Sequence, residues 1–365
     1  MKVLAVAGSS GGHIFPALAL LDYLKKNYPQ VDARLVLPKT NIKKDIEDSG
    51  FKLSYIDPGF FEKKISQKSF LGALKFLKGC WQSLIIILRF EPDVVVGFGS
   101  IVSIPLIMFG WLMRLKVVLH EQNVIPGQAN RFLSSFCSQV AVSFSQTKEY
   151  FRNCPEKIVI TGNPLRGNLT RVDKAKCGAF LGLDENKFTI LAMGGSQGSL
   201  RVNQGFLKAL ADLPGKENIQ VIHLSGQVDK NKLEDEYSAL GVKARVFPFL
   251  NKMEYAFSLA DLAVCRAGAT SIQELIHYRL PAVLLPYPFA YQHQTANAEV
   301  LQDMGAGIIL EDKELDSGKL SNILESLVNH RENIEKMRLA YDSFENGSAD
   351  RLLAELVMDR NTAHG

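Results

Sequence analysis

The sequence predicts an α/β protein of two doubly wound domains, each a parallel sheet with helices on both faces, and three observations carry that prediction. The chain has 365 residues, and single hydrophobic cores seldom grow beyond roughly 250 to 300 residues. Short apolar strands alternate with helical segments along both halves, the pattern of βαβ units. One local grammar also occurs twice, an apolar strand running into a Gly/Ser turn and then a helix, as VLAVAGSSGGH from Val3 and as ILAMGGSQG from Ile190. Glycine there lets the backbone take positive φ and approach a ligand closely, while the free N–H groups and dipole of the following helix attract an anion. Two such units suggest two domains facing one cleft.

In the first half the strands read Lys2 to Ala7, Ala33 to Leu37, Asp93 to Val96, Lys116 to His120 and Gln139 to Val142, with a helix over Ile14 to Lys26. Val94 to Met113 carries no charge and is long enough to span a bilayer. Gly97, Gly99 and Pro105 interrupt it, so it reads as a buried strand, a glycine turn and a buried helix. Between these elements, Lys63 to Arg89 mixes Lys64, Lys68, Lys75 and Lys78 with Phe70, Leu71, Leu74, Phe76, Leu77, Trp81, Leu84, Ile85 and Ile86. That composition suits a surface resting in a lipid headgroup layer, and equally an amphipathic helix covering the sheet with its lysines in water.

The turn-rich segment Thr161 to Asn168 places a linker, giving an N-terminal domain over 1–163 and a second domain over 164–344. The second series reads strand Thr189 to Met193, helix Val202 to Leu210, strands Gln220 to Leu224, Ala244 to Phe247 and Leu262 to Cys265, helix Ser271 to His277 and strand Ala282 to Leu285. A helical tail within 345–365 follows, Ser348 to Asp359, with Leu352, Leu353, Leu356 and Val357 on one face, which packs back on the N-terminal domain.

Composition narrows the function. Apolar residues make up 47%, enough for two cores, and the formal charge of +4 fits anionic ligands or an anionic membrane surface but is too weak to indicate nucleic acid. Five scattered cysteines without a C-x-x-C pair indicate neither a disulfide framework nor a zinc site and read as reduced thiols in a cytosolic protein. The opening strand and glycine loop do not resemble a signal peptide, so export is not expected.

In doubly wound folds ligands sit beyond the carboxyl ends of the strands. Polar residues cluster there: Ser10 and His13; His120, Glu121, Gln122 and Asn123; Ser196 and Gln197; Arg266 to Glu274; Gln292, His293, Gln294 and Asn297. A dinucleotide site wants an acidic residue at the end of the second strand, but those strands end in Pro38-Lys39 and Ser225-Gly226, and no Walker lysine follows either loop. Both loops match G-x-S-x-G, and Ser196, Asp261 and His293 stand in hydrolase order, yet two copies are one too many and no oxyanion segment precedes Ser196. CRAGATSIQE, residues 265–274, ends a strand and opens a helix. There Glu274 could accept from a ribose diol, or Ser271 and Glu274 could form a plain capping box.

Taken together, GSSGGHIFPALAL, HEQNVIPGQANR, TGNPLR, GGSQGSLRVNQ, CRAGATSIQE and HQTANA resemble, in order and across nearly the whole chain, the bacterial peptidoglycan glycosyltransferases that add N-acetylglucosamine to a lipid-linked muramyl-pentapeptide. The resemblance implies a GT-B fold of two Rossmann-like domains. It implies UDP-N-acetylglucosamine as donor, undecaprenyl-pyrophosphoryl-N-acetylmuramyl-pentapeptide as acceptor, inversion at the anomeric carbon and no cofactor. It further implies peripheral attachment to the inner face of the cell membrane, with Lys63 to Arg89 as the docking surface, and cell-wall or division proteins as partners.

By the same resemblance, Ser10, Gly11 and Gly12 are donor-sugar or acceptor-pyrophosphate contacts and Asn123 touches the N-acetylglucosamine. Arg166 and Ser196 are diphosphate ligands, Leu250 sits where a backbone group reads uracil, and Ala269, Thr270, Ser271, Ile272, Gln273 and Glu274 form the nucleotide-binding turn with Glu274 on the ribose. Gln294 matches a sugar-hydroxyl ligand. Two departures fall on the acceptor side: Ser9-Ser10 stands where the family usually has Gly-Thr, and Gly99-Ser100-Ile101 where Gly-Gly-Tyr is common.

Transfer needs charge neutralisation on the departing diphosphate, a base for the acceptor hydroxyl and a dry aligned site. The chain has no D-x-D, so the helix after Ser196 and the Arg166 guanidinium are the expected sources of positive charge, without a metal. His13 is the candidate base. His120 is next, His223 and His277 are expected within core elements, and His293 stays open. The rival readings are a diacylglycerol glycosyltransferase, a UDP-N-acetylglucosamine epimerase, and a silent sugar-nucleotide sensor or division scaffold.

Overall fold

The computed structural model describes residues 1–39, 50–58, 67–167, 169–195, 198–227, 230–290, 292–344 and 347–359, the side chains of 67–71 excepted. The chain divides into two compact units, Met1–Gly167 with Gly347–Gly365, and Asn168–Asn346.

The first unit holds a seven-stranded parallel sheet of β1 (Lys2–Val6), β2 (Asp32–Pro38), β3 (Lys52–Ile56), β4 (Val94–Gly97), β5 (Lys116–Glu121), β6 (Gln139–Val142) and β7 (Ile158–Ile160), in the order β3-β2-β1-β4-β5-β6-β7. Its central strands are buried on both faces, and alternate side chains feed two cores. Val3 and Ala5 join Ile14, Ala17 and Leu21 of helix α1 (Gly11–Asn27). Leu4 and Val6 join Ile87 and Phe90 of α2 (Gln67–Phe90) and Leu106 and Ile107 of α3 (Ser103–Leu112). The uncharged stretch from Val94 is therefore a strand, a glycine turn and a helix, as its breakers predict. Among the described residues no helix is long and apolar enough to cross a membrane. A short helix, α4 (Gln128–Leu133), follows β5.

The second unit repeats the winding with β8 (Phe188–Met193), β9 (Ile219–Leu224), β10 (Lys243–Phe247), β11 (Leu262–Cys265), β12 (Ala282–Leu284) and β13 (Gly307–Ile309), ordered β10-β9-β8-β11-β12-β13. Helices α5 (Lys174–Leu181), α6 (Leu200–Ala211), α7 (Lys230–Ala239), α8 (Met253–Leu259), α9 (Ala269–Tyr278), α10 (His293–Asp303), α11 (Lys319–Asn329) and α12 (Arg331–Ala340) cover it. Both sheets reverse their winding direction at one point, between β1 and β4 and between β8 and β11, which is where such folds bind ligands.

The last helix, α13 (Ala349–Met358), returns to the first unit, where Leu353, Ala354 and Val357 enter the α1 core; Leu352 and Leu356 stay half-buried beside it. The buried Lys116 ammonium donates to the carbonyls of Leu356 (2.6 Å) and Asp359, capping orphan groups at the helix end with the charge its dipole favours.

Candidate active site

In the first unit the β1–α1 turn and the β4 and β5 exits meet at the switch point. Ser10 is exposed and stands at the N-cap of α1, where its side chain makes no capping bond, and Gly11 and Gly12 form the first turn. One turn in, His13 crosses to the β4 exit, its Nδ1 2.5 Å from the Phe98 carbonyl. A carbonyl only accepts, so Nδ1 carries the proton and Nε2 holds the lone pair. The ring lies against Gly99, where a Cβ would come 3.1 Å from Cε1; with φ +86°, this position requires glycine. Ser100 also takes the left-handed region, at φ 75°. That costs a non-glycine residue about 1 kcal/mol. Ser103 Oγ donates to the Gly99 carbonyl at 2.5 Å and secures the turn.

His120 cannot serve as a second base. It is fully buried, Nε2–H donates to the Gly162 carbonyl at 3.0 Å, and Nδ1 accepts from the Gln122 amide at 3.0 Å. Burial, the largest influence, pushes its pKa down to about 4, keeping the ring neutral. Asn123 is half-buried on the β5 exit loop. Arg166 belongs to this unit and lays its guanidinium over the Phe15 ring of α1 at 4.7 Å from the centroid. The diphosphate role expected for Arg166 thus starts from a side chain held beside the helix of the first glycine loop.

In the second unit the glycine loop after β8 turns through Gly198, at φ +79°, where a Cβ would meet the Ser225 carbonyl oxygen at 2.6 Å; only glycine fits. Ser196 lies outside the described residues. Ser199 then caps α6, its hydroxyl accepting from the Val202 N–H at 3.4 Å. After β10, Leu250 is buried.

The turn after β11 removes the capping-box reading of Ser271 and Glu274. Helix α9 begins at Ala269 with Gly268 as its N-cap, which places Ser271 inside the helix and removes the capping box. Ala269, Ile272, Gln273 and Glu274 are buried, while Thr270 and Ser271 are half-buried. Gln294, at the start of α10, accepts from the Ala267 and Tyr287 N–H groups through Oε1 at 3.2 and 3.0 Å. A sugar hydroxyl at Gln294 would therefore meet the amide NH2, a donor.

Arg266 is the residue whose weight the motif did not reveal. Buried, it donates through Nη1 to the carbonyls of Leu285 (3.0 Å) and Pro286 (3.4 Å) and to Asp312 Oδ1 (2.5 Å), and through Nη2 to Ser199 Oγ (3.2 Å). One guanidinium thus ties the exits of β8, β11, β12 and β13 together.

The hydrolase alternative fails on placement. Asp261 precedes β11 and binds the Thr189 N–H at 2.9 Å and Lys174 at 2.8 Å, at the amino ends of the strands, whereas His293 follows the carboxyl end of β12. A triad would need both at one end. His223 is buried as expected, between Tyr237 Oη (2.7 Å) and Asn203 Oδ1 (3.0 Å). His277 is not: Ile272, Leu275 and Ile276 form the inner face of α9, and His277 falls on the exposed face.

Residues 3–142 match the glycosyltransferase family 28 N-terminal domain and residues 189–352 the glycosyltransferase family 28 C-terminal domain. The UDP-N-acetylglucosamine–N-acetylmuramyl-(pentapeptide) pyrophosphoryl-undecaprenol N-acetylglucosamine transferase of Thermodesulfovibrio yellowstonii is 36% identical over 98% of this chain and 98% of its own length. Among solved structures, Acinetobacter baumannii MurG shares the fold with a TM-score of 0.76 at 24% identity over 98% of each chain. The UDP-GlcNAc 2-epimerase of Neisseria meningitidis reaches 0.68 at 14% identity over 97% of this chain and 99% of that one. The fold, two Rossmann-like domains of GT-B type, is thus shared by transferases and epimerases, and the sequence separates them. With both domain models matched in order and 36% identity maintained end to end, the chain belongs to glycosyltransferase family 28, among its peptidoglycan N-acetylglucosamine transferases.

Proposed function

We propose that the protein transfers N-acetylglucosamine from UDP-N-acetylglucosamine to undecaprenyl-pyrophosphoryl-N-acetylmuramyl-pentapeptide with inversion. The observation that carries the mechanism is the His13 tautomer: Nδ1–H held by Phe98 leaves Nε2 to take the acceptor hydroxyl proton. The acceptor oxygen then bonds to the anomeric carbon as the bond to the diphosphate oxygen breaks, its electron pair leaving with UDP. The α6 amino end and Arg166 offset the charge on the departing diphosphate, and Glu274 receives the ribose diol.

The test is UDP release from UDP-N-acetylglucosamine with and without a short-chain lipid-linked muramyl-pentapeptide, with the lipid followed by mass. Acceptor-dependent release and a gain of one N-acetylhexosamine on the lipid is the expected result. Free sugar without acceptor would indicate an epimerase, and binding without turnover a sensor.

We further infer that α2 rests on an anionic membrane surface, the inner face of the cell membrane. Ile87 and Phe90 face the core, while Leu77 (63%) and Trp81 (64%) are exposed, as are Lys75 and Arg89 of the same helix. The inward face of Ile87 and Phe90 and the outward apolar side chains support this reading; Lys64, to the amino side of α2, lies outside the described residues, and the side chains of Lys68, Phe70 and Leu71 are not described. Replacing Leu77 and Trp81 together with glutamine should weaken sedimentation with phosphatidylglycerol vesicles at least tenfold, since each buried apolar side chain contributes roughly 1.5–3 kcal/mol. UDP affinity should be unchanged. Equal sedimentation of both proteins would remove this surface from the reading.

A further inference from the structure

We propose that Glu121 is a positioning residue for recognition of the donor sugar, acting by fixing the side-chain amide of Asn123; this rests on reading Asn123 as a contact to that sugar. Glu121 ends β5 and is 1% exposed. A buried carboxylate ordinarily needs a cation, but among the described residues no lysine, arginine or histidine forms an ion pair with it. Four N–H donors surround it instead. Oε1 accepts from the backbone N–H and the side-chain Nδ2 of Asn123 at 2.9 and 3.1 Å; Oε2 accepts from the Gly127 N–H at 3.1 Å and Asn130 Nδ2 at 2.7 Å. The Glu121 carbonyl is held in turn by the N–H and Oγ of Ser143, at 3.0 and 2.9 Å.

Charge-assisted bonds are shorter and stronger than neutral ones, so the carboxylate organises the loop from residue 121 to 130 about itself. Asn123 is grasped twice by one oxygen, through main chain and side chain. Rotating its amide by half a turn would bring Oδ1 against Oε1, two acceptors with no proton between them. The polarity that Asn123 presents to a sugar is therefore set by Glu121, which itself stays buried beneath the loop.

Glu121→Gln keeps the shape but gives one side of the group an NH2, which meets either the Asn123 pair or the Gly127 and Asn130 pair donor to donor. Dissociation constants for UDP and UDP-N-acetylglucosamine are measured for wild type, E121Q and N123A, with KM and kcat alongside. E121Q and N123A should each weaken UDP-N-acetylglucosamine roughly tenfold relative to UDP, a single-contact effect, and raise KM more than they lower kcat. If N123A has this effect and E121Q keeps the wild-type ratio, Glu121 has no positioning role and the Asn123 reading stands. If N123A itself keeps the wild-type ratio, the Asn123 reading fails and the proposal with it. Equal weakening of both ligands by E121Q overturns the proposal in favour of general loop stability. Should E121Q not fold, Asn130→Ala removes the 2.7 Å bond without touching Asn123; it should lower the ratio two- to fivefold, and an unchanged ratio would count against Glu121.

Discussion

His13→Ala should lower kcat by about a hundredfold or more, the usual worth of a positioned general base, while UDP affinity stays at the wild-type value. The ring has two separable roles. Nδ1 bonds the Phe98 carbonyl and the ring packs on Gly99, which is structural; Nε2 is the side that would take a proton. His13→Asn separates them, because an asparagine Nδ2 near the Nδ1 position still donates to Phe98 but carries no base beyond it. Both variants should lose turnover to a similar extent. Wild-type turnover in His13→Asn would reduce His13 to a brace for the β4 exit. Full activity in His13→Ala would remove it from the mechanism altogether.

What could be read from the sequence follows from how local each signal is. Strands β1, β4, β5, β8 and β11 centre on apolar runs because both their faces are covered, and the loops after β1 and β8 are marked by glycines, of which Gly198 after β8 takes a positive φ. The strands left unread, β3, β7 and β13, are short or at sheet edges; β3 is largely solvent-facing and β7 and β13 have three residues each, too few to show a period. The site's polar residues were visible as those that follow strands, yet their roles were not. His120 looks reactive in HEQN, and only its burial and the Gly162 carbonyl make it inert. Ser271 looks like a cap until the helix is seen to start two residues earlier. Glu121 stands in the string only as one more polar residue at a strand end, since nothing there tells that the loop closes over it. His277 misleads through period: placing it in the core requires a face that Ile272 and Ile276 already occupy.

Arg266→Met should destabilise the second unit by about 3 kcal/mol, the lower end for removing one partner of a buried pair, because Arg201 at 3.6 Å partly compensates Asp312. UDP affinity should fall as well, for a different reason. Arg266 reaches partners 19, 46 and 67 residues away, at Leu285, Asp312 and Ser199. Each lies on a loop at the carboxyl edge, and Ser199 caps α6, the helix whose amino end is proposed to meet the diphosphate. The charge and the crosslink can be told apart by adding Asp312→Asn. The double variant no longer leaves the half-buried Asp312 carboxylate with Arg201 alone to compensate it, so its thermal midpoint should recover most of the loss. Its UDP affinity should not recover, because Ser199 and the Leu285 and Pro286 carbonyls still lack their common donor. Recovery of both would mean that Arg266 only neutralises Asp312 and that the loops keep their register without it. Recovery of stability alone would place Arg266 as the link holding the carboxyl-edge loops of both βα halves of this unit in one arrangement.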